Sequence, residues 1–391
     1  MPEENKSSRP QRQRKEPKPT KTALRIARAQ EVVPHVGLTF GYKHYLFIAK
    51  LKRGEIWALN FLKSDSKTMV TPVFEATLPD PAKPPKKPKT LLQHATDSFE
   101  RVATEWTGLP FYLDPLYLGP KDGPPTPQNA QTVFSIAQSM NLTMIPVTSP
   151  YFPQPVQDVI RSVITTDNRG VMFRLTADFF SPPQNVSAYL TGLMAALKVT
   201  PDKVDILVDL GYKASVTDVQ VMGAYCLANL PNVGSWRTIT LGSGCFPDQI
   251  TKEPMDKWIP FNRSDWLGWY AIAAQRASAG ERIPTFADYG VRCGGRPGPP
   301  PPRGPSPNLR YSAAEKIWVR RGKGDPGMMR DLCADLIKRP FFAGAPFSEG
   351  DKEIALKAAN PASTNALAEQ WIQWCTNHHL ELCAWQIQNL P

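Results

Sequence analysis

Cysteine and histidine are scarce in this chain, which has six cysteines and five histidines among 391 residues. The cysteines lie far apart and form no CxxC pair, which excludes a zinc ribbon and a disulfide scaffold and is typical of the reducing cytoplasm. His378-His379 is the only adjacent histidine pair. We expect its backbone to be a turn, where the two rings point in opposite directions and cannot share one metal ion. The sequence therefore predicts no metal site and indicates no particular cofactor.

Long apolar runs are also missing. No stretch approaches the roughly 18 apolar residues of a membrane span, and the N-terminus lacks the apolar segment of a signal peptide. We therefore expect a cytoplasmic protein without a membrane partner. A glycine-rich phosphate turn after the first strand is absent as well, which counts against a dinucleotide-binding open sheet.

The net charge of +11 is concentrated in two short segments. Residues 1–30 hold nine basic and three acidic residues, and residues 81–90 hold four lysines and no acid, so about +1 is left for the other 351 residues. We expect residues 1–35 to be a disordered basic arm. Clustered lysine and arginine attract phosphate backbones, so residues 1–33 are a candidate for non-specific nucleic-acid binding. The proline-rich segments 79–90 and 294–307 are predicted to be exposed loops, and the role of the second stays open.

Short β-forming runs alternate with helical patterns over residues 36–330. Such alternation is typical of parallel βα units, and the count of about eight favours a (β/α)8 barrel of the TIM type over a doubly wound open sheet. The predicted strands are 44–49, 71–76, 109–113, 144–148, 170–175, 204–208 and 236–241, with the eighth at 257–261 or 286–291.

Residues 331–391 change character and predict a helical extension that packs on the barrel as part of the same unit. Its amphipathic segments are 331–339, 351–359 and 364–375, followed by a turn at 376–379 and a last segment at 380–387. Within the barrel region, the 3.6-residue period predicts helices at 90–105, 155–165, 185–197, 215–229 and 266–277.

Polar side chains recur where the predicted strands end. In a barrel these positions converge on one mouth, so they are the candidate site. Glu75, Asp114 and Asp209 are candidate catalytic groups, although no reaction is indicated. The candidate ligand-binding residues are Lys50, Lys52, Glu75, Asp114, Arg174, Asp209, Thr240, Tyr289, Arg310, Tyr311, His378 and His379.

Glu75 is the sharpest of these candidates because it interrupts an apolar strand. A buried carboxylate needs a partner, and Lys50 or Arg174 could supply it. The pair would then either fix the strand register or orient a ligand. Two further features are weaker: Gly242-Ser243-Gly244 could be a phosphate-holding loop, and the predicted turns at 288–290 and 308–311 could form a lid over the mouth.

The body of the chain resembles the phage-type beta protein family of phage satellites and bacterial mobile elements. The similarity spans about residues 42–388, and its matching order of short motifs includes LKRGE (51–55), TPVFE (71–75), PFYLD (110–114), IPVT (145–148), VDLG (208–211), WRTITL (236–241), DYG (288–290) and TNHH (376–379). The basic arm and the polyproline segment depart from the family pattern.

The resemblance implies a setting of phage defence, in which a beta protein restrains a toxic partner protein, and it names no catalytic residue. Our leading hypothesis is a ligand- or partner-binding regulatory protein with a polar barrel mouth. One alternative is an enzyme, such as a hydrolase or phosphodiesterase of nucleotides, that uses the mouth carboxylates as acid, base or metal ligands. The other alternative is a protein tethered to nucleic acid through its basic arm.

Overall fold

The computed structural model of the protein describes residues 39–80, 88–121, 123–250, 252–255, 257–295, 308–322, 328–360 and 368–390. The predicted basic arm, and most of the proline-rich segments 79–90 and 294–307, lie outside these residues. In the described part of the chain, no helix is long and apolar enough to cross a membrane.

Eight parallel strands close into a barrel, so the predicted (β/α)8 fold is confirmed and the open-sheet alternative is wrong. The ring closes where Tyr45 of the first strand pairs with Phe286 of the last. The barrel strands are β1 (Tyr45–Lys50), β2 (Val70–Thr77), β3 (Phe111–Tyr117), β4 (Met144–Thr148), β5 (Val171–Thr176), β6 (Val204–Tyr212), β7 (Thr238–Gly244) and, after β8 (Ile259–Asn262), β9 (Thr285–Asp288).

Alternation along each strand separates an inner from an outer core. In β1, Leu46 and Ile48 belong to the apolar cluster inside the barrel, whereas Tyr45 and Phe47 belong to the cluster between the barrel and its helices. This follows from the two-residue period of a strand, which sends successive side chains to opposite faces. The next inner position of β1 is Lys50, so the inner row turns polar at the carboxyl end of the strand.

Helices cover the outside of the barrel and begin at recognisable caps. Thr90 and Gln93 form a reciprocal capping box, and Ser215 accepts a hydrogen bond from the backbone N–H of Asp218. The helices around the barrel are α1 (Arg53–Asn60), α2 (Ser64–Met69), α3 (Leu91–Glu105), α4 (Pro127–Ser139), α5 (Gln154–Asp167), α6 (Val186–Leu197), α7 (Val216–Ala228) and α8 (Ser264–Ser278). Short 3-10 turns lie at Ala177–Phe180, Pro183–Asn185 and Pro201–Lys203.

A smaller layer lies beside the barrel. It contains an antiparallel sheet of β8, β10 (Asn308–Ser312) and β11 (Lys316–Arg321), together with the helices α9 (Met328–Leu336), α10 (Glu349–Ala359) and α11 (Ala368–Gln388). Helix α11 contacts α1, α10, β1 and β10, and it buries Leu380 and Ala384 in the outer core of the barrel. The last helix is thereby joined to the first strand and to the small sheet.

Three local predictions differ from the structure. The eighth barrel strand is Thr285–Asp288, near the second of the two predicted positions, while the first position contributes β8 to the small sheet. The predicted turn at 308–311 is strand β10, paired with β11. The predicted turn at 376–379 lies inside the continuous helix α11, because the polar groups that suggested a turn are held by other elements. The Asn377 side chain, for example, donates to the carbonyl of Ala58.

Candidate functional site

Six polar side chains meet inside the barrel at the carboxyl ends of its strands. Each of them follows the last apolar residue that points into the barrel by two positions, so it also points inward. Because all strands of the barrel end on the same side, the six side chains meet there. All six are buried, with Asp114 at 0% and Lys50 at 7% exposure. We call this group the Arg174 cluster, and its members are Lys50, Glu75, Asp114, Arg174, Asp209 and Tyr289.

Arg174 is the centre of the cluster. Its Nη1 donates to Glu75 Oε1 at 2.8 Å and to Asp114 Oδ2 at 2.7 Å. Its Nε and Nη2 both donate to Asp209 Oδ2, at 2.9 and 2.7 Å. Nη2 also donates to the hydroxyl of Tyr289, which in turn donates to Asp209. One guanidinium therefore binds carboxylates from β2, β3 and β6, a role that its fan of fixed donors suits.

Lys50 completes the pairing of Glu75. Its ammonium group donates to Glu75 Oε2 and lies 4.0 Å from the centre of the Tyr117 ring. Glu75 thus contacts both of the cations that the sequence offered as its partner. Burial lowers the pKa of Lys50 even though the neighbouring Glu75 carboxylate opposes this change.

The pKa values of the two aspartates of the cluster are shifted in opposite directions. Burial raises the pKa of Asp114, and Arg174 only partly offsets that rise. Burial acts on Asp209 as well, but Arg174, the Tyr289 hydroxyl and the backbone N–H of Gly211 hold its pKa below the ordinary value. Of these two aspartates, Asp114 therefore takes up a proton more readily than Asp209.

A cleft of about 460 Å³ opens beside the ends of β1 and β2. Its rim carries exposed or half-exposed ion pairs, Lys52 with Asp80, Lys89 with Asp97 and Arg53 with Glu369. We call it the β1–β2 cleft, and its lining includes Lys52, Arg53, Glu55, Asp80, Lys89, His94, Asp97, Arg101, Arg292 and Glu369. Its volume lies in the range of small-molecule sites.

Glu55 lies at the inner end of this cleft and is 2% exposed. Neither of its carboxylate oxygens accepts a hydrogen bond within the described residues, and Arg292 Nε lies 3.1 Å from Oε1 without suitable alignment. Glu55 and Arg292 also line a small cavity of about 20 Å³ that reaches Lys50 and Glu75. The two residues therefore separate the cleft from the Arg174 cluster.

Comparison with known protein families shows to which family the chain belongs. The model of the family described as Beta protein matches residues 45–383, which includes the barrel, the small sheet and the first three quarters of α11. The chain belongs to the beta protein family. No curated protein matches this beta protein significantly.

Several solved structures share part of the shape of this beta protein. Type I 3-dehydroquinate dehydratase from Clostridium difficile is 11% identical, and the match covers 63% of this chain and 85% of that one with a TM-score of 0.37. The 3-keto-D-glucoside 4-epimerase from E. coli is 10% identical over 65% and 94% of the two chains, with a TM-score of 0.31. These likenesses are too distant to transfer an activity.

The remaining candidate residues of the beta protein lie in four other places. Thr240 is buried in β7, and its hydroxyl has no hydrogen-bond partner within the described residues. Lys52 lies in the cleft. Arg310 stacks on Phe246 and donates to the carbonyl of Val291, and the last three candidates, Tyr311, His378 and His379, lie between the small sheet and α11.

Two expectations about glycine and histidine in the beta protein need correction. Gly242, Ser243 and Gly244 belong to strand β7 and do not form a loop, because the strand runs on to pair with β6 and β9. The histidine pair lies on a helix and not in a turn. His378 Nδ1 lies within hydrogen-bond distance of Asp351, and His379 Nε2 lies within hydrogen-bond distance of Asp288.

The candidate residues predicted from the sequence do not include Glu55, Arg292 or Cys383 of the beta protein; Cys383 lies on α11 with its Sγ 3.3 Å from His379 Nε2. Glu55 sits in the motif LKRGE, but nothing in the sequence places it beneath a cleft. The spacing of His379 and Cys383, four residues apart, would have indicated one helical face if the segment had been predicted as continuous helix.

Proposed function

We propose that this beta protein is a ligand- or partner-binding regulatory component of a phage-defence or mobile-element module. The observation that supports this proposal best is the buried Glu55 carboxylate, which has no hydrogen bond within the described residues and lies at the end of a cleft. Arg292 Nε lies 3.1 Å from Oε1 and balances the charge of Glu55, but a buried carboxylate also needs aligned hydrogen bonds. A partner group that donates hydrogen bonds, such as an ammonium, guanidinium or amide, would satisfy it.

The Arg174 cluster supports binding over catalysis. Its three carboxylates all accept hydrogen bonds from Arg174, and Glu75 also accepts from Lys50. All three carboxylates are also buried, so none of them faces solvent where a substrate would bind. We therefore assign the cluster to holding the strand ends in place beneath the cleft, and the cleft to recognition.

Replacing Glu55 with glutamine tests the proposal. The protein encoded beside this chain in its locus is the binding probe, and we expect its affinity to fall roughly tenfold or more, because a charge-assisted hydrogen bond is lost. Restraint of that protein's toxicity in co-expressing cells should weaken in parallel. The measurements are titration calorimetry and the growth rate of the cells.

Asp158→Asn on α5 is the matched control, since it makes the same chemical change at an exposed position outside the cleft lining. Thermal unfolding of both variants separates lost binding from lost folding. Unchanged affinity and unchanged restraint in a folded Glu55→Gln protein would contradict the assignment of the cleft.

Hydrolysis of nucleotides or phosphate esters is the competing function. It predicts turnover in the presence of Mg²⁺ that Glu75→Gln and Asp209→Asn abolish. Detection of such turnover in the wild-type protein would replace the regulatory proposal, because these residues would then have to leave Arg174 during the reaction.

The basic arm adds a separate proposal, that residues 1–33 hold the protein near nucleic acid. With six or more of the nine basic residues on phosphates, affinity for duplex DNA should fall roughly a thousandfold between 50 and 200 mM salt. Deletion of residues 1–33 should abolish the binding, as measured by fluorescence anisotropy. A truncated chain that keeps its affinity would show that the body binds DNA instead.

A further inference from the structure

A second buried cluster lies outside the barrel wall, between β9 and α11. Asp288 is the last residue of β9 and faces outward, and His379 and Cys383 lie four residues apart on one face of α11. All three are fully buried at 0% exposure. We call them the Asp288 cluster.

The three ligand-type atoms of this cluster face one another. Asp288 Oδ2 lies 2.8 Å from His379 Nε2, Cys383 Sγ lies 3.3 Å from the same nitrogen, and Sγ lies 3.8 Å from Oδ2. A tetrahedral zinc ion with bonds of about 2.0–2.3 Å would separate its ligands by roughly 3.3–3.7 Å. The two separations that involve Cys383 Sγ are close to this range, whereas the 2.8 Å between Asp288 Oδ2 and His379 Nε2 is shorter and would have to widen when zinc binds.

Each of the three residues is also oriented by another contact. Tyr45 donates to Asp288 Oδ1 at 2.5 Å, Ser312 Oγ lies 2.7 Å from His379 Nδ1, and Arg263 Nη2 donates to Cys383 Sγ at 3.1 Å. Hydrogen bonds to the far side of a histidine or carboxylate ligand are the usual support of protein metal sites.

A neighbouring carboxylate lies close to this cluster. Asp265 is 1% exposed, and its Oδ2 has no hydrogen bond within the described residues. Arg263 lies close to both Asp265 and Asp288.

From this geometry we propose that Asp288, His379 and Cys383 bind a zinc ion that joins the last helix to the barrel. A mixed set of imidazole, thiolate and carboxylate suits zinc better than magnesium or calcium, which prefer oxygen ligands alone. The site is separate from the β1–β2 cleft and does not depend on the function proposed for it. Zinc here would fasten α11 against β1 and β9.

The test is elemental analysis of the full-length protein, purified without a polyhistidine tag. We expect about one zinc per chain, and at least roughly tenfold less in Cys383→Ser and His379→Gln, because each loses a direct ligand. Ser312→Ala should weaken zinc affinity about 10–100-fold without abolishing binding, because it only orients His379. His378→Gln and Cys375→Ser, a neighbouring histidine and a cysteine of the same helix, are controls that should keep the metal.

Cobalt substitution keeps the test decisive if a variant fails to fold. Wild-type protein refolded with Co²⁺ should show a thiolate-to-cobalt charge-transfer band, and equimolar Zn²⁺ should remove it. Wild-type protein that contains no stoichiometric zinc and gives no such band would overturn the proposal. It would establish instead that Asp288, His379 and Cys383 form a hydrogen-bonded network only.

Discussion

Replacing Arg174 with methionine is expected to lower the free energy of unfolding by about 3–5 kcal/mol, the usual effect of removing one partner from a buried ion pair. Methionine fills much of the same space, so the loss reports on charge and hydrogen bonding rather than on a cavity. Three buried carboxylates would lose their shared donor in this variant. Chemical denaturation with urea, followed by tryptophan fluorescence, measures the change.

Arg161→Met on α5 is the control for this experiment. Arg161 pairs with Asp158 at the surface, where such a pair contributes at most about 1 kcal/mol. A loss in Arg174→Met no larger than the loss in this control would show that the buried carboxylates find other partners.

Removing the charge of either aspartate of the Arg174 cluster should change the free energy of unfolding by a different amount. Because the fold lowers the pKa of Asp209, its carboxylate stabilises the protein above the unfolded pKa, and the contribution disappears as the pH falls through the folded value. Because the fold raises the pKa of Asp114, its ionisation costs stability as the pH rises. Asp209→Asn should therefore destabilise the protein at neutral pH more than Asp114→Asn does.

Replacing Asp351 with alanine is expected to cost about 3–5 kcal/mol, since several buried donors would lose their acceptor. Asp351 accepts hydrogen bonds from Tyr311 and Ser348 and pairs with His378 Nδ1, all within 2.6–2.7 Å. These groups come from β10, from the start of α10 and from α11. The loss should appear as a lower urea midpoint and as faster amide hydrogen exchange in α11.

Asp331→Ala on α9 makes the same substitution at an exposed position, where we expect a change within about 0.5 kcal/mol. Asp351→Asn keeps one acceptor oxygen, so its loss of stability should lie between those of Asp351→Ala and Asp331→Ala. If Asp351→Ala unfolds at the wild-type urea concentration, the hydrogen bonds of Asp351 do not contribute to holding the small sheet and α11 together.

The sequence predicts the barrel mouth well because two local signals combine there. Charged residues such as Glu75 and Arg174 interrupt runs of strand-forming residues, and the barrel topology brings all such interruptions to one end. The charge of each side chain then limits its partners. The Arg174–Glu75 pair follows from these two facts.

The cleft and the Asp288 cluster depend on contacts that no local pattern reports. Asp288 and His379 are 91 residues apart, and they meet only because α11 crosses the seam between β1 and β9. The polar sequence Thr376-Asn377-His378-His379 suggests a turn, since such side chains compete with the helix backbone. In the folded protein, the side chains of Asn377, His378 and His379 form hydrogen bonds with residues of other elements instead of with their own backbone, so the helix continues.

The position of α11 also has a consequence for biosynthesis. This helix is translated after all eight barrel strands, yet it covers the seam at which the first and last of them pair. While the chain is still on the ribosome, the outer face of β1, which carries Tyr45 and Phe47, lacks its contact with α11. The nascent barrel should therefore need protection from aggregation until the final helix has been made, and ribosome-bound chains that stop before residue 368 are expected to recruit chaperones.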